Sequence, residues 1–226
     1  MPRKSAKSPS SKVRSAKSPP HEQRQSQRFT LLLRVAKLIT AEGEFLCVLR
    51  DVSDRGLRAK LFHPLVTPAA CELELGSEVR YRLQRVWQRA DQAGFRFADG
   101  PLAAQQLIEE TGPFPKRHVR LRLAQPVPVL LAANQVTLPA QLWDISQHGA
   151  AVLLDQRLAI GLELRIDALH LPALIARVRW RRGGLHGLVF QQGFRLDELA
   201  QLNCLLQTGA IAPVPAALTE LKIAPH

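Results

Sequence analysis

An internal repeat is the feature that most constrains how this chain can fold. The hexapeptide DVSDRG begins at Asp51, and DISQHG begins at Asp144, 93 residues later. The same ungapped offset relates five further pairs of identical residues: Leu61 and Leu154, Trp87 and Trp180, Gly94 and Gly187, Phe97 and Phe190, and Gly100 and Gly193. A period of this length exceeds that of a solenoid repeat, so each copy is expected to be a whole domain.

The length of 226 residues suits two domains of about 100 residues, each large enough for its own core. The segment TGPFP at 111–115 is the predicted linker, because its prolines fix φ and remove backbone donors. We therefore predict a first domain over residues 21–112 and a second over residues 113–210. Residues 1–20 are predicted to form a basic disordered tail, and residues 211–226 a C-terminal tail.

Short apolar segments separated by glycine, proline and aspartate predict strands in both copies. Residues 174–180 alternate between apolar and other side chains in period two, which puts Trp180 on the same side as Leu174. After the strands, residues 101–110 and 196–206 carry helix formers and helical apolar spacing. The pattern indicates a β-barrel or sandwich in each copy, followed by a helix.

Charge and cysteine content narrow the classes of function. The formal net charge is +12, and residues 1–20 contribute six positive charges and no acid, so an anionic partner is favoured. No segment has the apolar length of a signal peptide core or of a membrane span, and a soluble cytoplasmic protein is expected. Cys47, Cys71 and Cys204 lack paired spacing, so they are predicted to be buried reduced thiols rather than disulfides or zinc ligands.

Polar residues of the first copy form a recognisable series. Arg24 and Arg28 precede the first predicted strand, and Asp51, Ser53 and Gly56 follow in the spacing D-x-S-x-x-G. In this order and separation they resemble the signature of the PilZ family, an R-x-x-x-R pair followed by [DN]-x-S-x-x-G. The repetition of the second motif makes a chance match less plausible than it would be for either motif alone.

The resemblance to PilZ domains extends over nearly all of the folded chain. It covers roughly residues 22–110 and 115–207, and it includes the V-W pair at 86–87 and the G-x-x-F strand at 94–97. It implies an all-β fold with accessory helices: two tandem antiparallel six-stranded β-barrels, each followed by a C-terminal helix. It also implies a receptor for the bacterial second messenger cyclic di-GMP, bound in some members as a stacked dimer held by an arginine loop.

The chemistry of cyclic di-GMP suits the motif residues. An arginine fork such as that of Arg24 or Arg28 can pair with guanine O6 and N7 or with phosphate. The carboxylate of Asp51 accepts hydrogen bonds, as guanine N1 and N2 require, and Ser53 can donate one to a phosphate or carbonyl. Gly56 permits close backbone approach. These five residues are the predicted ligand site of the first domain.

The second copy keeps the Asp-Ser-Gly motif and changes the arginine pair. Asp144, Ser146 and Gly149 are intact. If Arg120 is placed before the first strand of this copy, as the second arginine is in the first copy, Lys116 takes the position of the first arginine. Lysine lacks the planar fork that matches guanine, so this domain is predicted to bind the ligand more weakly.

A constant offset of 93 gives a different alignment of the same segment. It matches Arg117 with Arg24 and puts Leu121 in the position of Arg28. One arginine is missing in either alignment. The weaker candidate site therefore comprises Lys116, Arg117 and Arg120 together with the Asp-Ser-Gly motif of the second copy.

No arrangement of residues calls for catalysis, a metal or a cofactor, and the chain is predicted not to be an enzyme. The indoles of Trp87 and Trp180 are predicted to pack in the core or at the edge of the barrels rather than against ligand. A protein partner in motility, polysaccharide secretion or surface attachment is expected, without identification. Two alternatives stay open: a nucleic-acid-binding protein that uses its basic tail, and a ligand-free PilZ interaction module.

Overall fold

A computed structural model of the chain describes residues 29–62, 68–75, 79–103, 107 and 118–209. The first barrel contains β1 (Phe29–Thr40), β2 (Gly43–Ser53), β3 (Gly56–Leu61), β4 (Ala70–Glu74), β5 (Arg80–Arg89) and β6 (Gln92–Phe97). The second contains β7 (Leu121–Ala133), β8 (Val136–Ser146), β9 (Gly149–Leu153), β10 (Glu163–Ala168), β11 (Leu171–Arg182) and β12 (Leu185–Phe190). A helix, α1 (Leu196–Thr208), follows.

The two barrels have the same topology. Strands of the first are ordered β1-β2-β3-β6-β5-β4, and pairing of β1 with β4 closes the barrel. Strands of the second are ordered β7-β8-β9-β12-β11-β10, closed by pairing of β7 with β10. All neighbouring strands are antiparallel, so the predicted pair of six-stranded antiparallel barrels is confirmed.

Alternating side chains fill each barrel. In β11, Leu174, Ala176 and Val178 are buried, whereas Ile175 and Arg177 are exposed, as the period-two pattern predicts. The three cysteines are buried and reduced, as predicted.

A β-bulge in β11 reverses this alternation beyond Val178. Trp180 pairs with Gly187 after a register shift, and its side chain lies on the outer surface with 40% exposed. The same bulge in β5 puts Trp87 outside the first barrel, with 38% exposed. The indoles therefore do not lie in the barrel cores, one of the two positions predicted for them. The period-two pattern, which put Trp180 on the same side as Leu174, fails here because it does not register the extra residue of a bulge.

Strand pairing also decides between the two alignments at the start of each copy. Phe29 lies opposite Val52 in the first barrel, and Leu121 lies opposite Ile145 in the second. Leu121 is thus the counterpart of Phe29, and the residue before it, Arg120, is the counterpart of Arg28 in the sequence.

The bulge of β7 is one residue longer than that of β1. In β1 the register shifts between Thr30 and Arg34, and in β7 it shifts between Arg122 and Val127. The extra residue changes the offset between the copies from 92 before the bulge to 93 after it. Continued along the sequence before the two strands, the offset of 92 matches Lys116 rather than Arg117 with Arg24.

Helix α1 connects the two barrels. Its first backbone turn is stabilised by Glu198, whose Oε2 accepts a hydrogen bond from the backbone N–H of Arg195 at 2.8 Å. It ends at Gly209, which has the left-handed φ of 62°. The helix packs against β2 and β7, and Cys204 contacts the buried Phe45 of the first barrel.

The interface has an apolar and a polar part. Leu46 points away from its own barrel and is fully buried in the core of the second. Around it, the Glu44 carboxylate accepts hydrogen bonds from Lys37 Nζ and from the backbone N–H of Arg122, both at 2.9 Å. Asn203 Nδ2 donates to the Glu44 carbonyl at 2.7 Å. These contacts join strands of both barrels to the helix.

Several predictions fall on other parts of the chain. The tails at 1–20 and 211–226 and the linker at 111–115 lie outside the described residues. So does most of the helix predicted over residues 101–110, although Leu107 is buried in the first core. Helix α1 is confirmed at 196–206. Among the described residues, no helix has the length and hydropathy needed to span a bilayer.

Candidate cyclic di-GMP site

The D-x-S-x-x-G motif forms the tight hairpin between β2 and β3. Ser53 Oγ donates a hydrogen bond to the Gly56 carbonyl at 3.2 Å. In the second barrel Ser146 Oγ donates to the Gly149 carbonyl at 3.0 Å. The serine hydroxyl thus closes its own turn in both copies, and it retains lone pairs that can accept further hydrogen bonds.

Backbone hydrogen bonds from the last strand of each barrel also hold the motif hairpins. The Arg55 carbonyl accepts the N–H of Phe97, and the His148 carbonyl accepts the N–H of Phe190, at 3.1 and 2.9 Å. Because these pairs are equivalent in the two barrels, the motif turn is a fixed part of each.

Both motif glycines are required by the neighbouring strand. A Cβ on Gly56 would lie 2.1 Å from the carbonyl oxygen of Phe95, and one on Gly149 would lie 2.2 Å from that of Leu188. Their φ angles are not in the left-handed region. The glycine therefore allows the close approach of β6 or β12 to the hairpin, a role independent of the ligand contact predicted from the sequence.

A cleft of about 740 Å³ opens on the outer face of the first barrel beside this hairpin. This volume lies within the usual range of about 300–1,000 Å³ for small-molecule sites. All three described motif residues line it. The lining residues are Asp51, Val52, Ser53, Arg55, Gly56, Leu57, Arg58, Val86, Trp87, Arg89, Ala90, Asp91, Gln92, Gly94 and Phe95.

Trp87 forms one wall of the cleft. A Cβ on Gly94 would lie 2.1 Å from the indole Nε1, so the indole lies directly over the bare backbone of β6. Trp180 covers Gly187 in the same way, at 2.0 Å. The Trp-to-Gly pairs recur in both copies, and that recurrence is the sequence signal that could have indicated an outward indole.

Asp51 is paired with an arginine that sequence analysis did not single out. Arg58 Nη2 lies 2.5 Å from Asp51 Oδ2, and the two residues are opposite each other on β2 and β3. The carboxylate side chain is 17% exposed and that of Arg58 is 44% exposed. Arg58 Nη1 also donates to Gln92 Oε1 at 3.4 Å.

The second barrel satisfies its motif aspartate differently. Arg120 Nη1 lies 2.7 Å from Asp144 Oδ1. The residue opposite Asp144 on β9 is Ala151, which occupies the position of Arg58. This motif turn is further covered by His118, whose ring lies 4.5 Å from that of His148.

The structure brings together some of the predicted site residues. Asp51, Ser53 and Gly56 lie together in the first barrel. In the second barrel Arg120 joins Asp144, Ser146 and Gly149. The other predicted residues, Arg24, Arg28, Lys116 and Arg117, lie outside the described part of the chain.

Comparison with models of known protein families identifies the family of the chain. The model of the PilZ domain matches residues 22–111 and again residues 115–208. The chain belongs to the PilZ family. Each match contains one of the two barrels, so the resemblance inferred from the motifs is confirmed. No curated protein sequence matches the chain.

Solved structures that match the chain share little of its sequence. The PlzA protein of Borreliella burgdorferi, in complex with c-di-GMP, is 12% identical, with 76% of this chain and 87% of that chain covered and a TM-score of 0.32. The Bacillus subtilis inhibitor of motility, MotI, is 15% identical over 83% and 97%, with a TM-score of 0.33. Escherichia coli YcgR, in complex with c-di-GMP, is 14% identical over 74% and 80%, with a TM-score of 0.29.

Proposed function

We propose that this PilZ protein is a cyclic di-GMP receptor that binds the dinucleotide mainly through its first domain and is not an enzyme. The observation that carries the proposal is the cleft of the first barrel, where Asp51, Ser53 and Gly56 lie beside the half-exposed Trp87. Such a surface combines acceptors, donors and an aromatic face, as a guanine nucleotide requires.

The ligand is held from two sides in this proposal. The hairpin offers the Asp51 carboxylate to guanine N1 and N2 and the Ser53 hydroxyl to a phosphate or carbonyl. Arg24 and Arg28 supply guanidinium groups from the segment before β1, which pair with guanine O6 and N7 or with phosphate. Ligand binding orders this arginine segment against the barrel, and the closed segment alters contacts with a protein partner.

The second domain offers a route by which binding is transmitted between the barrels. The carbonyl of Arg120 accepts a hydrogen bond from Lys37 Nζ at 3.3 Å, and the side chain of Arg120 pairs with Asp144. A ligand that draws Arg120 away from Asp144 therefore acts on a residue that also contacts the first barrel. We expect weaker binding here, because Lys116 replaces one arginine fork.

The proposal is tested by calorimetric titration of the full chain with cyclic di-GMP. The Arg28→Ala variant should lose the tight phase, with an affinity lower by roughly 5- to 150-fold, as expected for one lost bidentate contact. Its counterpart in the second barrel, Arg120→Ala, should keep that phase and is the matched control.

Two further variants complete the comparison. Lys116→Arg should strengthen binding by the second domain, since it restores the guanidinium fork. Unchanged cyclic di-GMP affinity in both Arg24→Ala and Arg28→Ala would contradict the proposal and favour the ligand-free interaction module.

A further inference from the structure

Arg58 distinguishes the first cleft from its counterpart in the second barrel. The motif aspartates occupy equivalent positions, Asp51 on β2 and Asp144 on β8. On the β1 or β7 side they lie opposite Thr30 and Arg122, and on the β3 or β9 side each lies opposite one further residue. That neighbour is Arg58 in the first barrel and Ala151 in the second. The first cleft therefore carries a guanidinium within its wall that does not depend on the segment before β1.

The contacts of Arg58 suit an arginine that changes partners. Its strongest contact is the 2.5 Å ion pair with Asp51, and its contact with Gln92 is long, at 3.4 Å. The side chain is 44% exposed and borders the cleft. Because the ion pair lies at the surface, its rupture has a modest cost in free energy.

The ion pair also engages the Asp51 carboxylate, which is the proposed acceptor for guanine N1 and N2. With Arg58 on Oδ2, the Asp51 carboxylate has less capacity to accept from guanine N1 and N2. If Arg58 turns into the cleft, it frees the carboxylate and offers its own fork to the ligand at the same time. One rotation thus creates both an acceptor and a cation on the same wall.

We propose that Arg58 is a third ligand-binding arginine of the first domain, which leaves Asp51 and pairs with a phosphate of the dinucleotide. This inference rests on the proposed function. It assigns part of the difference between the two sites to the β3 position, Arg58 against Ala151, in addition to the difference between Arg24 and Lys116. Phosphate is the favoured partner because Arg58 lies beside Asp51, which takes the guanine edge.

The test compares Arg58→Ala and Arg58→Lys with the unmodified full chain by calorimetric titration with cyclic di-GMP. Arg58→Ala should lower the affinity of the tight phase by about 5- to 150-fold, as for a lost bidentate contact. Arg58→Lys keeps the charge without the fork and should give an intermediate loss. The matched control is Arg82→Ala, because Arg82 pairs with Asp99 on the same barrel and does not line the cleft.

A second variant provides an independent measurement. Arg58→Gln keeps most of the side-chain volume and removes the charge, so it should lower the affinity for cyclic di-GMP about as far as Arg58→Ala does. This measurement also serves if Arg58→Ala fails to fold, as judged by its circular dichroism.

The possible results separate the inference from the proposed function. If the unmodified chain does not bind cyclic di-GMP, the proposed function fails and the inference fails with it. If the unmodified chain binds and a folded Arg58→Ala binds equally well, the inference alone is overturned. Tighter binding by Arg58→Ala would also overturn it, since Arg58 would then only obstruct Asp51.

Discussion

Trp180 lies on the outer surface of the second barrel, where its indole covers the backbone of Gly187. With 40% of the residue exposed, Trp180→Ala should lower the free energy of unfolding by about 1–3 kcal/mol, less than the roughly 3–5 kcal/mol of a fully buried aromatic residue. The control is Phe190→Ala, because Phe190 is 7% exposed in the core of the same barrel. Urea unfolding measures both. A larger loss for Trp180→Ala than for Phe190→Ala would contradict this assignment.

The thiol of Cys71 should be unreactive in the folded protein. Burial raises its pKa from 9 to about 11, so only about a thousandth of it is thiolate at pH 8. Reaction with iodoacetamide at pH 8 should be slow in the native protein and fast in denaturant, as mass spectrometry of the modified peptide can show. Rapid native modification of Cys71 would be inconsistent with its burial.

The raised pKa of Cys71 also makes the free energy of unfolding depend on pH. The folded state holds the Cys71 proton more tightly than the unfolded chain does, so this contribution to stability is complete below pH 9 and is lost as the pH rises towards 11. The midpoint of urea unfolding should therefore fall across this interval, and Cys71→Ala should reduce the fall.

At the scale of the elements, the repeat predicts two similar domains, and the positions of Asp51 and Ser53 in one hairpin follow from their spacing. The β-bulges do not follow from it, because the period-two pattern of a strand does not mark the extra residue that a bulge inserts. The bulge before Trp87 turns the indole to the outer side of the barrel. The bulge of β7 is one residue longer than that of β1, so a constant offset of 93 does not match Arg120 with Arg28. The pair of Arg58 with Asp51 could have been predicted, since Asp51 lies two residues before Ser53 and Arg58 two residues after Gly56 in the same hairpin.

The apolar spacing of residues 196–206 predicts helix α1. The contacts of the helix with β2 and β7 cannot be predicted from that spacing, because they depend on the position of the first barrel. Gln207 is the main example. Its Nε2 donates to the carbonyls of Arg122 and Glu44 at 2.8 and 3.3 Å, and its Oε1 accepts from the N–H of Ala124 at 2.8 Å. A Cβ on Gly43 would lie 2.5 Å from the same side chain. This single amide therefore connects the helix with both barrels.

The Gln207→Ala variant should weaken the interface between the barrels. The Arg122 carbonyl and the Ala124 N–H lose this partner, whereas the Glu44 carbonyl keeps Asn203, and the loss should cost about 0.5–1.5 kcal/mol. Hydrogen exchange should accelerate at Glu44 and at residues 122–124 and stay unchanged in β11, with Gln201→Ala on the same helix as control. If exchange at Glu44 does not change, the amide is not an essential part of the interface.

At the scale of the whole molecule, the net charge of +12 makes salt dependence a test between ligand classes. A protein that neutralises six to ten phosphates of DNA loses about 10³–10⁵ in affinity between 50 and 200 mM salt, whereas a ligand with two phosphates and no condensed counterions should lose at most about tenfold. We expect the smaller effect for cyclic di-GMP with the full chain. A titration with a random DNA duplex over the same salt range is the comparison, and tight DNA binding with the steep dependence would favour the nucleic-acid-binding alternative.

The position of α1 after both barrels has a consequence for the order in which the protein can fold during synthesis. Leu46 and Phe45 leave the ribosome early, but Cys204 and the rest of the helix that covers β2 follow about 150 residues later, a delay of about 8–30 s at 5–20 residues per second. For that interval the nascent first barrel presents an uncovered apolar face. We expect a nascent-chain chaperone, or early folding of the second barrel against β2, to cover this face until translation passes Thr208.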